Sequence, residues 1–325
     1  MTSIIPMSIS NENSIRYLGE EGGEGSYLEE SEMNTTAPIE EENVMTEYVA
    51  PRTLKDYDLL KLLGTGGQGS TYLAEVKVTG QIVALKVIYI DKMKSNLEMA
   101  EKEVQELEKI STPTCNMFLA CYYDHFFDGD KFLIESEFID GKDLEIWAKP
   151  YYETNSYPQL YENLVLLYRD MSKALEYIFS KGILHRDIKP QNILIDKENV
   201  PKLIDFGLAC DMKVCPRFSH PYGKCCHDRV GTPSYFAPET ARDAVSYPAS
   251  DIWGLGATVF KIATTQYCFN FNNPNDIPSV IQTVAYSSPL ILTTVNPNLN
   301  YITNWSLSLD PDMRPTPELI LQFLQ

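Results

Sequence analysis

The sequence predicts an α+β fold in two unequal parts, a five-stranded antiparallel sheet carrying one helix, followed by a larger and mainly helical part. Three observations predict it. Between residues 57 and 139, short apolar runs of strand length follow one another, with a single stretch of helical spacing among them. From Leu160 onward the apolar residues recur at helical intervals. Turn residues sit where hairpins are needed, as a glycine cluster over residues 64–69 and as Asp128-Gly129-Asp130.

The elements follow in order. Tyr57–Leu63 reads as a strand, the glycine cluster as a turn, and Ser70–Val76 as the returning strand. Gln81–Ile90 is a third strand with a nearly continuous apolar run. Asn96–Ile110 has helical spacing, with Met99, Val104, Leu107 and Ile110 on one stripe. Phe118–Phe127 and Lys131–Ile139 read as two further strands. Leu160–Lys181 is a long amphipathic helix closed by Gly182. Tyr247–Thr265 is an apolar helix that starts near Pro248, and shorter helices are predicted over Ile277–Tyr286, Thr303–Leu309 and Pro317–Gln325.

The 325 residues are 44% hydrophobic, enough for a sizeable core. Net charge is −18, unevenly placed: residues 1–50 hold eleven Glu, one Arg (Arg16) and no Asp or Lys. With too few apolar residues to form a core, this segment reads as a disordered acidic tail, and residues 51–56 as a linker. The acidic balance argues against nucleic acid as a main partner and fits basic protein partners. No apolar run approaches the roughly 20 residues that span a bilayer. The start, Met1-Thr2-Ser3-Ile4-Ile5-Pro6, lacks the charged leader of a secretory signal, and Thr2 excludes N-myristoylation. Seven cysteines in that context predict a reducing, cytoplasmic setting with free or metal-bound thiols.

The most informative residues are His185-Arg186-Asp187-Ile188-Lys189-Pro190-Gln191-Asn192 and, shortly after, Asp205-Phe206-Gly207. Phosphoryl transfer needs little covalent help; it needs positioned reactants and cations that neutralise charge on the transferred group. Asp187 can accept a hydroxyl proton and Lys189 can stand beside the moving phosphate. Asn192 and Asp205 offer hard oxygen ligands of the kind magnesium takes together with phosphates. The two motifs resemble the catalytic and metal loops of eukaryotic-type serine/threonine protein kinases. The strand-and-helix order resembles the two-lobed fold of that family over residues 57–325. The resemblance implies an N-lobe over 57–136, a hinge over 137–141 and a C-lobe over 142–325.

Further segments carry the resemblance. Gly64-Thr65-Gly66-Gly67-Gln68-Gly69 is similar to the family's phosphate-covering loop, whose backbone amides approach phosphate oxygens. Thr71 stands where the family usually has Val, and its methyl can still cover an adenine ring. Val83-Ala84-Leu85-Lys86 resembles the strand bearing the ATP-anchoring lysine. Lys86 needs a carboxylate partner; Glu103 in Glu103-Val104-Gln105-Glu106-Leu107 is the best match, with Glu106 one turn on as the alternative. The resemblance puts adenine between Ala84 and Leu194, against the backbone of hinge residues Glu137 and Phe138, with Ser136 guarding the inner pocket. Asp143 is placed to meet the ribose hydroxyls, or else caps a helix. Glu239, at the end of Gly231-Thr232-Pro233-Ser234-Tyr235-Phe236-Ala237-Pro238-Glu239, matches the partner of Arg314, and Asp251 matches the brace of the catalytic loop.

Lys189 with a Gly-Thr-Pro loop implies Ser/Thr acceptors on protein substrates, with ATP and magnesium (or manganese) as cofactors. The competing class is a pseudokinase, an ATP-binding scaffold without turnover; the presence of Lys86, Asp187 and Asp205 argues against it. Between Asp205 and Gly231 lies an unusual cluster: Cys210, Cys215, His220, Cys225, Cys226 and His227. Four such ligands can hold zinc tetrahedrally, although the spacing matches no standard finger. Apolar packing is the other reading.

Overall fold

The structure is a computed structural model that describes residues 52–66, 69–90, 95–212 and 226–325. The acidic segment 1–50 lies outside the described residues. Strands β1 (Tyr57–Thr65), β2 (Ser70–Val76) and β3 (Ile82–Tyr89) precede helix α1 (Ser95–Ser111), and β4 (Tyr122–Asp128) and β5 (Lys131–Glu137) follow it. They pair as one antiparallel sheet in the order β1-β2-β3-β5-β4. Two-residue periodicity decides its faces. Val83, Leu85 and Val87 pack with Tyr57, Ala74, Val76 and Leu133 on one side. Phe132 and Ile134 turn to the other side, where α1 brings Ala100, Val104, Leu107 and Ile110.

The expected linker is partly tied down. Thr53 and Asp56 close a turn over Leu54–Asp56, and Arg52 donates to the buried Glu135 at 2.7 Å. Three further expectations need correction. Met99 is exposed; the buried stripe of α1 runs instead through Ala100, Glu103, Val104, Glu106, Leu107 and Ile110. The fourth strand starts at Tyr122, because the Cys115–Cys121 disulfide and the turn before it bend the preceding chain. Phe118 and Leu119 are still core residues there. The helix expected over Thr303–Leu309 lies earlier, since Asn296 accepts from the Leu299 amide and starts it at Pro297.

After the sheet come β6 (Gly141–Asp143), α2 (Leu144–Glu153), α3 (Tyr157–Ser180) and β7 (Ile183–Leu184). Then follow β8 (Ile193–Asp196), β9 (Pro201–Leu203), β10 (Cys210–Asp211), β11 (Cys226–His227), α4 (Pro238–Asp243) and β12 (Val245–Ser246). The remaining helices are α5 (Pro248–Thr264), α6 (Ile277–Tyr286), α7 (Pro297–Ser306) and α8 (Pro317–Phe323). α3 and α5 form the centre of this part, burying Leu160, Leu164, Tyr168, Trp253, Leu255 and Val259 completely. The short strands form small ladders on that base: β6-β8-β9, β7 with β10, and β11 with β12. These ladders carry the chemistry-bearing loops.

Candidate active site

The loop after β7 is held from below. Asp251, in the first turn of α5 and almost fully buried, accepts from the backbone amides of His185 (2.7 Å) and Arg186 (2.8 Å). Burial pushes its pKa up, while His185 and those amides oppose the rise. Held this way, Arg186 adopts a left-handed φ of 66°, a strained geometry for a long side chain. His185 Nε2 lies 2.9 Å from the Ile204 carbonyl, and its ring packs edge-on against buried Phe206.

Asp187 is the centre of the loop. Its Oδ2 accepts from Lys189 Nζ at 2.6 Å and from Asn192 Nδ2 at 3.1 Å. Its Oδ1 accepts from the Thr232 amide at 2.8 Å. Lys189 also donates to Thr232 Oγ1 at 2.9 Å. Gly231 makes this closeness feasible: its φ is +110°, and a Cβ there would lie 2.5 Å from the Arg186 carbonyl oxygen. Asn192 Nδ2 also donates to the Asp187 carbonyl at 2.8 Å, leaving the amide oxygen of Asn192 as the group available to a cation. Asp205 is exposed, in the left-handed region at φ 62°, and accepts from the Gly207 amide at 3.3 Å.

Above this loop, Lys86 on β3 lies opposite Thr71 on β2, and its ammonium is 2.8 and 2.7 Å from the two carboxylate oxygens of Glu103. Glu103 is 4% exposed. Burial raises its pKa, Lys86 opposes the rise, and the charge of Asp205 adds to it. Glu106 makes no such contact with Lys86; its cation neighbour Lys102 stands at 3.9 Å. In the glycine turn, the Gly66 amide donates to the Gly69 carbonyl at 2.8 Å. Added Cβ atoms at Gly64 and Gly66 would meet open space, whereas one at Gly69 would lie 2.3 Å from the Val87 carbonyl oxygen. Gly69 is therefore needed by the sheet itself. The Gly66 amide is committed within the turn, and the open faces of Gly64 and Gly66 let an anion approach the turn's backbone.

Ala84 is paired with Ser136 across β3 and β5, and Leu194 lies on β8 opposite Asp143. At Glu137 the backbone amide is already committed to the Cys121 carbonyl at 2.7 Å. Its carboxylate accepts from Lys202 Nζ at 2.8 and 3.0 Å and from the Cys121 amide at 3.2 Å. Phe138 follows, half-buried. Asp143 accepts from the Ile146 amide at 2.8 Å as the N-cap of α2. Neither Lys202 nor α2 was evident in the sequence. A lysine on a short apolar strand signals a buried partner; α2 is short and interrupted by Pro150. Glu239 and Arg314 form a buried bidentate pair at 2.7 and 2.8 Å.

The zinc expectation is corrected. Cys210 and Cys226 form a disulfide, which removes the thiolates that zinc would need. Cys215, His220 and Cys225 lie outside the described residues, and His227 is exposed on β11. Among the described residues no group of three or more His, Cys, Asp or Glu is placed to hold a metal. Free or metal-bound thiols are likewise not what the structure holds at four positions, since Cys115 and Cys121 are also paired; Cys268 is free and buried.

A sequence model of the protein kinase domain matches residues 57–324. The chain belongs to the protein kinase family. Its sheet-bearing part is the family's N-lobe and its helical part the C-lobe. Similar proteins include the cytokinesis protein sepH of Aspergillus niger, 31% identical over 83% of this chain and 19% of that protein. The serine/threonine-protein kinase Nek5 of Homo sapiens is 31% identical over 67% of this chain and 29% of that protein. Mitogen-activated protein kinase kinase 2 of Arabidopsis thaliana is 28% identical over 83% of this chain and 72% of that protein. The chain thus spans about a fifth of the length of the first of these relatives and about three tenths of the second.

Proposed function

We propose that this protein kinase is a serine/threonine kinase that transfers the γ-phosphate of ATP to hydroxyls of protein substrates. The observation that carries the reading is the triangle of Asp187, Lys189 and Thr232, closed by contacts of 2.6, 2.8 and 2.9 Å. In the reaction a bond forms between the acceptor oxygen and the γ-phosphorus, and the bond from that phosphorus to the β-phosphate bridging oxygen breaks. Asp187 orients the acceptor hydroxyl and takes its proton; Lys189 stabilises charge on the transferred group. Lys86, anchored by Glu103, meets the α- and β-phosphates, and the turn's backbone around Gly64 and Gly66 covers them. Asn192 and Asp205 fit magnesium by donor chemistry, and would hold it where it screens phosphate charge.

Support for Ser/Thr acceptors comes from Lys189 contacting Thr232 and from relatives named serine/threonine kinases. The net charge of −18 favours basic substrates.

The test is labelled phosphate transfer from ATP to a generic basic protein, followed by phosphoamino-acid analysis. Label should appear on Ser and Thr. Asp187→Asn and Asp205→Asn should each lose about 10²-fold or more, the scale for removing one electrostatic group from a preorganised site. Tight ATP binding with no transfer by the wild type would mark a binding scaffold instead.

A further inference from the structure

The activation segment lies between Asp205 and Glu239, and its two described ends are joined covalently. Cys210 sits on β10, which pairs with β7 directly before His185. Cys226, six residues before Thr232, sits on β11, which pairs with β12. The Cys210–Cys226 disulfide crosses from one ladder to the other, with Cα atoms 6.4 Å apart. It packs with Leu184, Met212 and Phe179 in a small apolar cluster against the start of the catalytic loop.

Besides the disulfide, Arg186 reaches both stretches through its side chain. Its Nε donates to the Leu208 carbonyl at 2.7 Å and its Nη2 to the Ala209 carbonyl at 3.3 Å. Across the gap its Nη1 reaches Asp228 Oδ2 at only 3.9 Å, and the Asp228 side chain is 70% exposed. Such a pair is screened by water and contributes little. The first stretch is well held without the disulfide: Met212 donates to the Gly182 carbonyl, and Lys109 on α1 pairs with Asp211 at 2.7 Å. The second stretch has two ladder residues on β12 and long contacts from Arg229 to the Thr240 and Arg242 carbonyls at 3.4 and 3.3 Å. That second stretch delivers Thr232 to Asp187 and Lys189. Cys226 is buried, while Cys210 is only partly so, and the disulfide is approachable from the Cys210 side.

We infer that the Cys210–Cys226 disulfide is a redox control of phosphotransfer: oxidised, it holds the segment that presents Thr232 to the catalytic loop; reduced, it releases that segment. The inference rests on the kinase reading above. The chemistry is thiol–disulfide exchange with a dithiol reductant. One reductant thiolate attacks Cys210 Sγ, the S–S bond breaks, and Cys226 leaves as a thiolate that takes up a proton. The second reductant thiolate then attacks the mixed disulfide and frees Cys210, so two electrons and two protons pass to the protein and the reductant becomes a disulfide. Closing a loop of this length biases the ordered arrangement by roughly a hundred-fold. Nothing in this step touches Lys86 or the glycine loop, so the control acts on the acceptor side.

The experiment uses the full chain, oxidised or treated with dithiothreitol, with disulfides mapped by peptide mass spectrometry. Reduction should lower kcat/KM for a basic protein acceptor by about ten-fold or more, within the limit set by the loop closure, and leave nucleotide affinity by direct binding within about two-fold. The C210S/C226S double variant should sit at the reduced level and ignore dithiothreitol; C115S/C121S should keep the response. Equal kinetics in the two states, a response that survives in C210S/C226S, or a bond mapped to Cys225 in place of Cys226 would each overturn the inference. If the wild type is inactive in both states, the kinase reading fails by itself, and hydrogen exchange decides the staple: amides of residues 228–236 must exchange faster after reduction, and unchanged exchange refutes it.

Discussion

Glu106 lies one helical turn after Glu103 on α1, is 2% exposed, and has no hydrogen-bond partner at Oε1 among the described residues. Burial is the largest influence on it. Lys102, Arg186 and Lys109, together with the Asp211 backbone amide, oppose burial without matching it, and the carboxyl is pushed up from 4.5 to about 7. A group raised in the folded state stabilises when protonated. That contribution is complete below pH 4.5 and is lost as pH rises through about 7. A rise from 4.5 to about 7 corresponds to about 3 kcal/mol of lost stability at high pH. Glu106→Gln keeps the shape and cannot ionise, leaving at most one amide hydrogen-bonding group unsatisfied, about 1 kcal/mol. The difference between variant and wild type should therefore widen, in the variant's favour, by about 2 kcal/mol between pH 5.5 and pH 8.5. For a domain of this size that is about 4–8 °C in Tm. Calorimetric melts of both proteins across that range are the assay; using the difference removes every other titrating group. Parallel Tm-versus-pH curves would refute the reasoning, and so would a variant that loses ground as pH rises.

Three other outcomes follow from single contacts. Arg314→Ala leaves Glu239 buried without its cation and should cost about 3–5 kcal/mol in urea unfolding; a loss below about 1 kcal/mol would mean that the carboxylate finds another partner. Asp143→Ala should cost about 1 kcal/mol through the lost cap of α2, and nucleotide titration separates its two roles, since a Kd change under about two-fold assigns it to capping alone. Ser136 donates to the Ala84 carbonyl at 3.4 Å, and a side chain this small at the position proposed to guard the adenine pocket is expected to admit bulky groups. Ser136→Met should weaken bulky adenine-analogue inhibitors by about ten-fold or more on the scale of lost pocket contacts, and equal binding by both proteins would show the pocket to be closed by other side chains.

The parts of the fold that were legible in the sequence are those where one local force dominates. β3 is an apolar run with a single lysine, and it is central in its sheet. Helix α5 starts at a proline and is mostly apolar, as burial on nearly every side requires. Where two forces compete, the reading slipped. Phe118 and Leu119 are as apolar as a strand, yet their burial is achieved in an irregular segment closed by Cys115–Cys121. In α1, Met99 looked like a core residue because it is apolar, while two of the helix's inward positions, Glu103 and Glu106, are glutamates. Apolar counting cannot see a buried carboxylate whose partner, Lys86, comes from a strand.

The same distinction separates the site from what surrounds it. Asp187, Lys189 and Asn192 occur within six residues because one loop must deliver them to one place, so their chemistry is written in local spacing. Lys202 on Glu137, Arg52 on Glu135 and Cys226 on Cys210 are pairings across the fold, and no spacing rule connects their members. Cysteine makes the difficulty sharpest. Four cysteines and two histidines within 18 residues are compatible with a metal cluster or with several pairings, and composition ranks none of them. What distinguishes them is that β10 is anchored on β7 and β11 on β12, which puts two particular Cα atoms within bonding reach. The ladder pairing of each cysteine's own strand therefore decides its chemistry, and it turns a segment that looked like a metal site into a covalent tie between β10 and β11.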